Sequence, residues 1–353
     1  MSRRDVGTDD ERVRVRPGRG TRPRTKTRPA HDDATPGTVL AVDRGRYRVG
    51  TADGTRVTAV KARELNRTRT AVVVGDEVAL VGDVSGEVDT LARMVGVAER
   101  RTVLRRSAED GDTVGVERPV VANADQLAVV TALADPPPRP RMIDRFLVAA
   151  YDAGMDPLLV LTKSDLTGPD ELLAGYAALE VGHVVVGGMG EAPGADGAVR
   201  GLQEMRGLLA GRTTVLVGHS GVGKSTLVNA LVEGAERATS HVNEVTGRGR
   251  HTSSSAVALE LPGGGWVIDT PGVRSFGLAH VSADSLLAGF TDLAGAAELC
   301  PRGCTHADDS PDCALDDWVA EADGATAEAR AARLESFRRL AAALHGVPGT
   351  VER

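Results

Sequence analysis

Between residues 37 and 98, apolar and polar positions alternate in five short runs: GTVLAVD, RYRVGTA, TRVTAV, DEVALVG and EVDTLARMV. Turn-forming triplets such as Asp43-Arg44-Gly45 and Ala52-Asp53-Gly54 separate them. A period of two punctuated in this way predicts half-buried strands. Five of them in about sixty residues predict a small closed β-barrel, with an OB-fold as the leading reading and an SH3-like barrel as the alternative. Farther along, the rhythm lengthens. LAVVTA (127–132), LLVLT (158–162), VVV (184–186) and TVLV (214–217) are continuous apolar runs, as expected of strands buried on both faces. Segments 141–154, 169–180 and 198–211 between them carry helical patterns, and 224–232 follows TVLV as a further helix. AVALEL and WVIDT flank a PGGG turn as a hairpin-like pair within 256–270. Strands alternating with helices predict a largely parallel sheet covered on both faces. From 281 onward the chain is Ala-rich, helical and acidic.

The expected architecture is therefore multidomain. It comprises a disordered arm (1–35), an OB-fold barrel (36–98), an Arg-rich linker (99–118), an α/β domain (119–280) and a helical domain (281–353). At 353 residues the chain can bury a substantial core. With aromatics at 3%, that core must be built mainly from Val, Leu, Ile and Ala. No apolar run nears the roughly 20 residues that cross a bilayer, so a cytoplasmic protein is expected. The net charge of −7 hides an asymmetry. Residues 12–28 carry eight basic side chains and no acidic one, whereas 281–353 has thirteen acidic residues against six arginines. The basic arm cannot order itself by burial but can displace counterions from RNA phosphates. On the barrel, Tyr47 is the only candidate surface aromatic, so backbone contact through Arg44, Arg46, Arg48 and Arg56 is expected rather than base stacking.

Chemistry concentrates at the strand ends. Gly218-His219-Ser220-Gly221-Val222-Gly223-Lys224-Ser225 matches the phosphate-loop pattern between a strand and a helix. Its backbone N–H groups and those of the following Thr226 can cradle phosphates at the helix N-terminus. Lys224 is placed to reach the β- and γ-phosphates, and Ser225 to ligate Mg²⁺. Lys224 is also the last lysine of the chain, so a base-reading Lys-x-Asp element must lie upstream. Thr162-Lys163-Ser164-Asp165 fits, at the end of LLVLT. The Asp165 carboxylate can accept from guanine N1–H and its exocyclic amine together, a donor pair adenine lacks. Lys163 can cover the purine face. Thr162 stands where Asn is usual, without the amide that braces the phosphate loop. Gly187-Gly188 occupies the place of a secondary base loop. Asp269-Thr270-Pro271-Gly272 supplies a second-switch element, with Asp269 toward Mg²⁺ and Gly272 toward the γ-phosphate. Val273 follows, and it cannot orient water. Thr252 or Ser253 can complete the Mg²⁺ shell, and the adjacent His251 is a candidate for orienting the attacking water. The full set of GTPase elements is present, in rotated order.

All three cysteines fall within 300–313. Cys300-x3-Cys304-x-His306-x6-Cys313 provides three thiolates and one imidazole, the donor set of a closed structural zinc site. A reducing compartment favours this over disulfides.

Together these residues resemble the RsgA/YjeQ family of small-ribosomal-subunit-dependent, circularly permuted GTPases. ANADQ (122–126), IDRFLVAA (143–150), GRGRHTS (247–253) and DTPGVRSFGL (269–278) add to the likeness, which spans roughly 37–340. The resemblance implies GTP hydrolysis to GDP and phosphate, stimulated by the small subunit late in its maturation, with rRNA contact. It also implies a role in hydrolysis for His251 beside Val273. A monomer is expected. The rotated order further suggests that Gly272 sets the angle of the helical domain through 273–282. The competing readings are a P-loop ATPase or kinase, and an RNA-binding protein in which nucleotide is only a structural ligand.

Overall fold

The computed structural model describes residues 31–67, 70–107, 117–188, 200–232, 256–270, 278 and 281–344. Its first five strands are β1 (Thr35–Asp43), β2 (Arg46–Thr51), β3 (Arg56–Lys61), β4 (Glu77–Gly82) and β5 (Ala92–Val97), with helix α1 (Arg63–Arg67) after β3. β1 pairs with β2, β2 with β3, β3 in parallel with β5, β5 with β4, and β4 back onto β1. This closed Greek-key order decides for the OB-fold over an SH3-like barrel. Strand alternation explains the filling. Val39, Tyr47, Val49, Val57, Ala59, Leu80 and Met94 form the barrel core, while Arg46 and Arg48 face outward. Tyr47 was expected on the surface. It is buried instead, because its position in β2 falls on the inward face between those two arginines.

The segment read as a linker is partly ordered as a strand pair. β6 (Val103–Ser107) runs antiparallel to β7 (Glu117–Ala122). Leu104 and Val121 are fully buried and give this arginine-rich stretch an apolar reason to order.

The α/β region follows in chain order: β8 (Gln126–Ala132), α2 (Pro140–Asp152), β9 (Asp156–Thr162), α3 (Asp170–Ala174), β10 (Gly182–Val185), α4 (Leu202–Leu209), β11 (Thr213–Val217), α5 (Lys224–Leu231), β12 (Val257–Glu260) and β13 (Trp266–Asp269). The sheet order is β10-β9-β8-β11-β13-β12. All neighbours are parallel except the β12–β13 hairpin. The single helix expected over 169–180 breaks at Gly175 into α3 and a 3₁₀ turn, Ala177–Leu179.

Four further helices follow among the described residues: α6 (Ala283–Leu287), α7 (Thr291–Ala297), α8 (Ala314–Ala320) and α9 (Gly324–Leu344). Because β8 is buried throughout, β9 at all but its first two positions and β11 at all but its first, alternate residues feed two cores. Ala128, Val130, Leu158, Val160 and Leu216 pack with Met205 and Leu209 of α4 and Leu227, Val228 and Leu231 of α5. On the opposite face, Leu127, Val129, Leu159, Leu161, Val215 and Val217 pack with α2 and with Leu286, Phe290, Leu315, Phe337 and Leu340. The C-terminal helices are thus built into one of the sheet's two covering layers. Each fully buried Phe or Leu there contributes about 1.5–3 kcal/mol relative to exposure. Residues 273–282 are therefore not the sole tether of this region. Among the described residues no helix is long and apolar enough to cross a membrane.

Candidate nucleotide site and metal centre

Parallel strands deliver their following loops to one sheet edge, where open α/β sheets bind ligands. Thr162 ends β9, Gly187-Gly188 follows β10, the phosphate loop follows β11 and Asp269 ends β13. The structure therefore brings the upstream base reader and the cradle to the same edge. It also joins them directly: the buried Thr162 hydroxyl donates to the carbonyl of Val222, 2.6 Å away. The brace expected to be lost with asparagine is supplied by a shorter side chain.

Around the base reader, Lys163 has a left-handed backbone (φ 58°), and its ammonium donates to the Asp135 carbonyl in the loop after β8. The exposed Asp165 accepts a hydrogen bond from Gly188 N–H at 3.0 Å. That bond, above all, holds its carboxyl below the usual carboxylate range. Gly187 is required by packing, because a Cβ there would lie 2.3 Å from Ser164 Oγ. Ser164 Oγ is itself buried without a hydrogen-bond partner among the described residues. The glycine pair that matched a base loop only weakly in sequence thus lies against the base reader.

In the cradle, Gly218 passes so close to β8 that a Cβ would stand 2.3 Å from the Val130 carbonyl. Gly221 and Gly223 take left-handed conformations (φ 84° and 88°), and Gly223 caps α5. Lys224 begins that helix, with Ser225 and Thr226 exposed at its mouth. The Lys224 ammonium lies 3.4 Å from Asp269 Oδ1 and 3.3 Å from the Thr270 carbonyl. Ser220 is exposed, and the His219 Nδ1 lies 2.8 Å from its carbonyl. The imidazole shares a small crevice with Arg139, Met142, Ile143 and Phe146. Asp269 Oδ1 is buried and, apart from the ammonium nearby, has no hydrogen-bond partner among the described residues. Such a carboxylate oxygen fits a hard divalent cation such as Mg²⁺. His251, Thr252, Ser253, Gly272 and Val273 lie outside the described residues, as does the N-terminal arm up to residue 30.

At the other end of the chain, Cys300, Cys304, His306 and Cys313 present ligand atoms that all lie within 4.8 Å of one another, a cluster that can hold a metal ion. His306 turns Nδ1 toward Cys300 Sγ (3.6 Å) and Cys313 Sγ (3.8 Å). Backbone N–H groups of His306 and Ala314 donate to Cys304 Sγ and Cys300 Sγ. Burial pushes the Cys313 thiol up to about 11. A cation would reverse that cost by binding the thiolate.

Sequence reasoning missed the groups that hold this cluster in place. His306 Nε2 lies 3.6 Å from Asp284 of α6. Arg338 of α9 donates to the His306 carbonyl at 2.9 Å and forks onto both oxygens of Asp316. Its neighbour Arg339 reaches the opposite way, to the Gly175 carbonyl behind the base reader. Only a helical pattern through 324–344, with adjacent arginines facing different neighbours, signalled these roles. An aromatic series, Tyr151–Phe290–Phe337, ends against His306 with centroid separations of 5.0, 5.5 and 6.4 Å.

Comparison with known proteins agrees with this arrangement. The family described as RsgA GTPase matches residues 97–279. A small ribosomal subunit biogenesis GTPase RsgA from Pseudomonas aeruginosa (strain LESB58) is 38% identical over 286 residues, covering 79% of this chain and 78% of its own. A protein of the same name from Chlorobaculum parvum is 36% identical over 288 residues, covering 79% and 90%. Among solved structures, YjeQ from Thermotoga maritima superposes with a TM-score of 0.62 at 24% identity, over 89% of this chain and 99% of its own. YloQ, described as a circularly permuted GTPase, gives 0.57 at 21% identity, over 88% and 96%. These two likenesses concern the fold. With a family model matching more than half of it and relatives this similar along most of its length, the chain belongs to the RsgA GTPase family and is a GTP-hydrolysing enzyme.

Proposed function

We propose that this GTPase binds the small ribosomal subunit and its rRNA, and hydrolyses GTP to GDP and phosphate on it during late maturation. The observation that carries the reading is the Thr162–Val222 hydrogen bond. It seats the guanine reader against the phosphate loop, so one nucleotide can span Asp165 and Lys224. In this reading Asp165 exchanges the Gly188 N–H for the guanine donors, and the freed N–H faces the base edge. Lys163 covers the purine with its aliphatic stem. Backbone N–H groups from Gly218 to Thr226 cradle the phosphates, with the His219 ring packed aside. Lys224 offsets negative charge on the β- and γ-phosphates as the attacking water bonds phosphorus and the β–γ bridging bond breaks. Ser225, Thr252 and Asp269 would hold Mg²⁺, which supplies charge neutralisation when bound. His251 orients the water, since Val273 cannot, and the Gly272 N–H senses the γ-phosphate. Cys300, Cys304, His306 and Cys313 would hold a structural zinc, four protein donors that would leave no position for a reacting water. The arm and the outward barrel arginines contact rRNA phosphates. We take the protein as a cytoplasmic monomer.

The test is multiple-turnover GTP hydrolysis by the full chain with and without purified small subunits. Stimulation by the subunit is the expected result. A rate unchanged at saturating subunit would overturn the ribosomal assignment.

A further inference from the structure

The β12–β13 hairpin forms the outer edge of the GTPase sheet, and the barrel holds it at both ends. At the nucleotide end, Asp269 is the register partner of Val257, and Val257 is in turn the partner of Ala41 in β1. At the turn end, Glu260 and Trp266 are register partners, and Arg56 of β3 clasps both. Its Nη2 donates to Glu260 Oε2 at 2.7 Å, and its guanidinium carbon lies 5.0 Å from the Trp266 ring centroid. Gly50 makes room for it, because a Cβ there would sit 3.2 Å from Arg56 Nη1. Arg56, grouped with the phosphate-contacting arginines from sequence, is therefore committed to another domain, 204 positions away.

Besides the β1–β12 pairing, two side-chain attachments of the barrel differ in kind. Beside β7 it is fixed by a fully buried Asp76, which accepts from Arg100 at 2.6 and 2.8 Å, and by Asn123 donating to the Gly75 carbonyl. The Arg56 clasp is half exposed (47% and 59% for the two side chains). It borders a cleft of about 380 Å³ lined by Leu40, Gly50, Glu77, Glu260 and Trp266. A body anchored firmly on one side and lightly on the other can pivot, and exposed ion pairs are weak enough to yield.

We infer that Arg56 is a positioning residue for GTP hydrolysis, holding from the barrel the hairpin whose far end carries Asp269. The inference rests on the nucleotide site proposed above. Barrel displacement would move the candidate cation ligand first; the cradle strand β11 would feel it only through its pairing with β13, and the base reader on β9 lies two strands beyond β11. The clasp thus affects turnover rather than nucleotide affinity.

The experiment compares full-length wild type, Arg56→Met, Glu260→Gln, the double variant and Arg56→Lys. It reads single-turnover GTP hydrolysis, the Mg²⁺ concentration for half-maximal rate, GDP affinity and the thermal midpoint. Arg56→Met and Glu260→Gln should each lower the rate by about fivefold or more, the lower range of typical coupling. They should raise the Mg²⁺ requirement and leave GDP affinity unchanged. The double variant should be no worse than either single one, and Arg56→Lys should retain most of the rate. An Arg56→Met rate within twofold of wild type overturns the inference. So does a loss of rate that tracks loss of GDP affinity and of thermal midpoint, which would mark a structural role. A wild-type chain that bound guanine nucleotide without hydrolysing it would overturn the underlying reading, and this one with it.

Discussion

Thr162 and Val222 lie 60 positions apart in sequence, and a 2.6 Å hydrogen bond joins the hydroxyl of one to the carbonyl of the other. The bond links the end of the base-reading strand to the heart of the phosphate loop. The same hydroxyl lies 3.3 Å from the Thr131 carbonyl, but it has one proton, and the shorter contact takes it. The two halves of the candidate nucleotide site, which the chain order separates, are thereby joined.

Replacing Thr162 by Val keeps the shape and removes the donor. The Val222 carbonyl then loses a buried partner, a cost of about 1–3 kcal/mol. Guanine nucleotide affinity should fall about tenfold, measured by titration with GDP, while Thr162→Ser remains near wild type. Equal affinities for Val and Ser variants would show that the brace is dispensable.

In the proposed reading, Asp165 decides which base is read. Hydrogen bonds to an ionised group contribute about 1.5–3 kcal/mol each, so Asp165→Ala should weaken GDP binding about a hundredfold. Adenine nucleotides, lacking the donor pair, should bind the variant and wild type alike. The competing ATPase reading requires indifference: little change for either nucleotide.

The sheet and its motifs were legible because strands buried on both faces leave unbroken apolar runs, and because glycines and Lys224 occur in a fixed spacing after one of them. The barrel was legible from alternation alone. Side-chain destinations were not. Nothing in a local pattern tells that Thr162 reaches a carbonyl in the phosphate loop, or that Arg56 leaves the basic face for Glu260. Each depends on a partner brought near only by the fold. Likewise, the β6–β7 pair was hidden because its arginines outnumber the two side chains, Leu104 and Val121, that bury it.

Metal removal should be felt locally and strongly. Folding energy in such clusters comes from the cation, about 10–16 kcal/mol in small zinc peptides, and the loop from 300 to 314 has few buried side chains of its own. The purified chain should contain about one zinc per molecule. Cys313→Ala, which removes the buried thiol, should abolish zinc retention and expose this loop to proteases. Phe290 and Phe337 should keep α9 on α2. Metal retained at wild-type stoichiometry would remove Cys313 from the ligand set.

Barrel arginines should separate by function. Arg46 and Arg48 point outward from β2, whereas Arg56 is engaged with Glu260. Each phosphate contact contributes roughly 0.7–0.9 to the slope of log affinity against log salt. The pair of changes Arg46→Ala and Arg48→Ala should reduce the salt dependence of RNA binding by up to about two such contacts. An unchanged slope would place the RNA on another face.

Asp144 offers a test of the packing between the sheet and the C-terminal helices. It is buried on α2, with Oδ2 3.4 Å from Arg339 Nε and Oδ1 without a hydrogen-bond partner among the described residues. Burial raises its carboxyl above the ordinary range, and Arg339 and Tyr176 pull it back only in part. A carboxyl whose folded value exceeds its unfolded value, about 3.9, contributes most below the unfolded value. That contribution is lost as pH rises through the folded one. Wild type therefore carries an ionised, incompletely compensated carboxylate at neutral pH, and Asp144→Asn does not. The thermal midpoint of Asp144→Asn should exceed that of wild type at neutral pH. The difference should shrink toward zero as acid protonates the wild-type side chain. A variant less stable at neutral pH than in acid, relative to wild type, would mean that attraction to Arg339 outweighs burial. The C-terminal helix would then be held to α2 by charge as much as by Phe337 and Leu340.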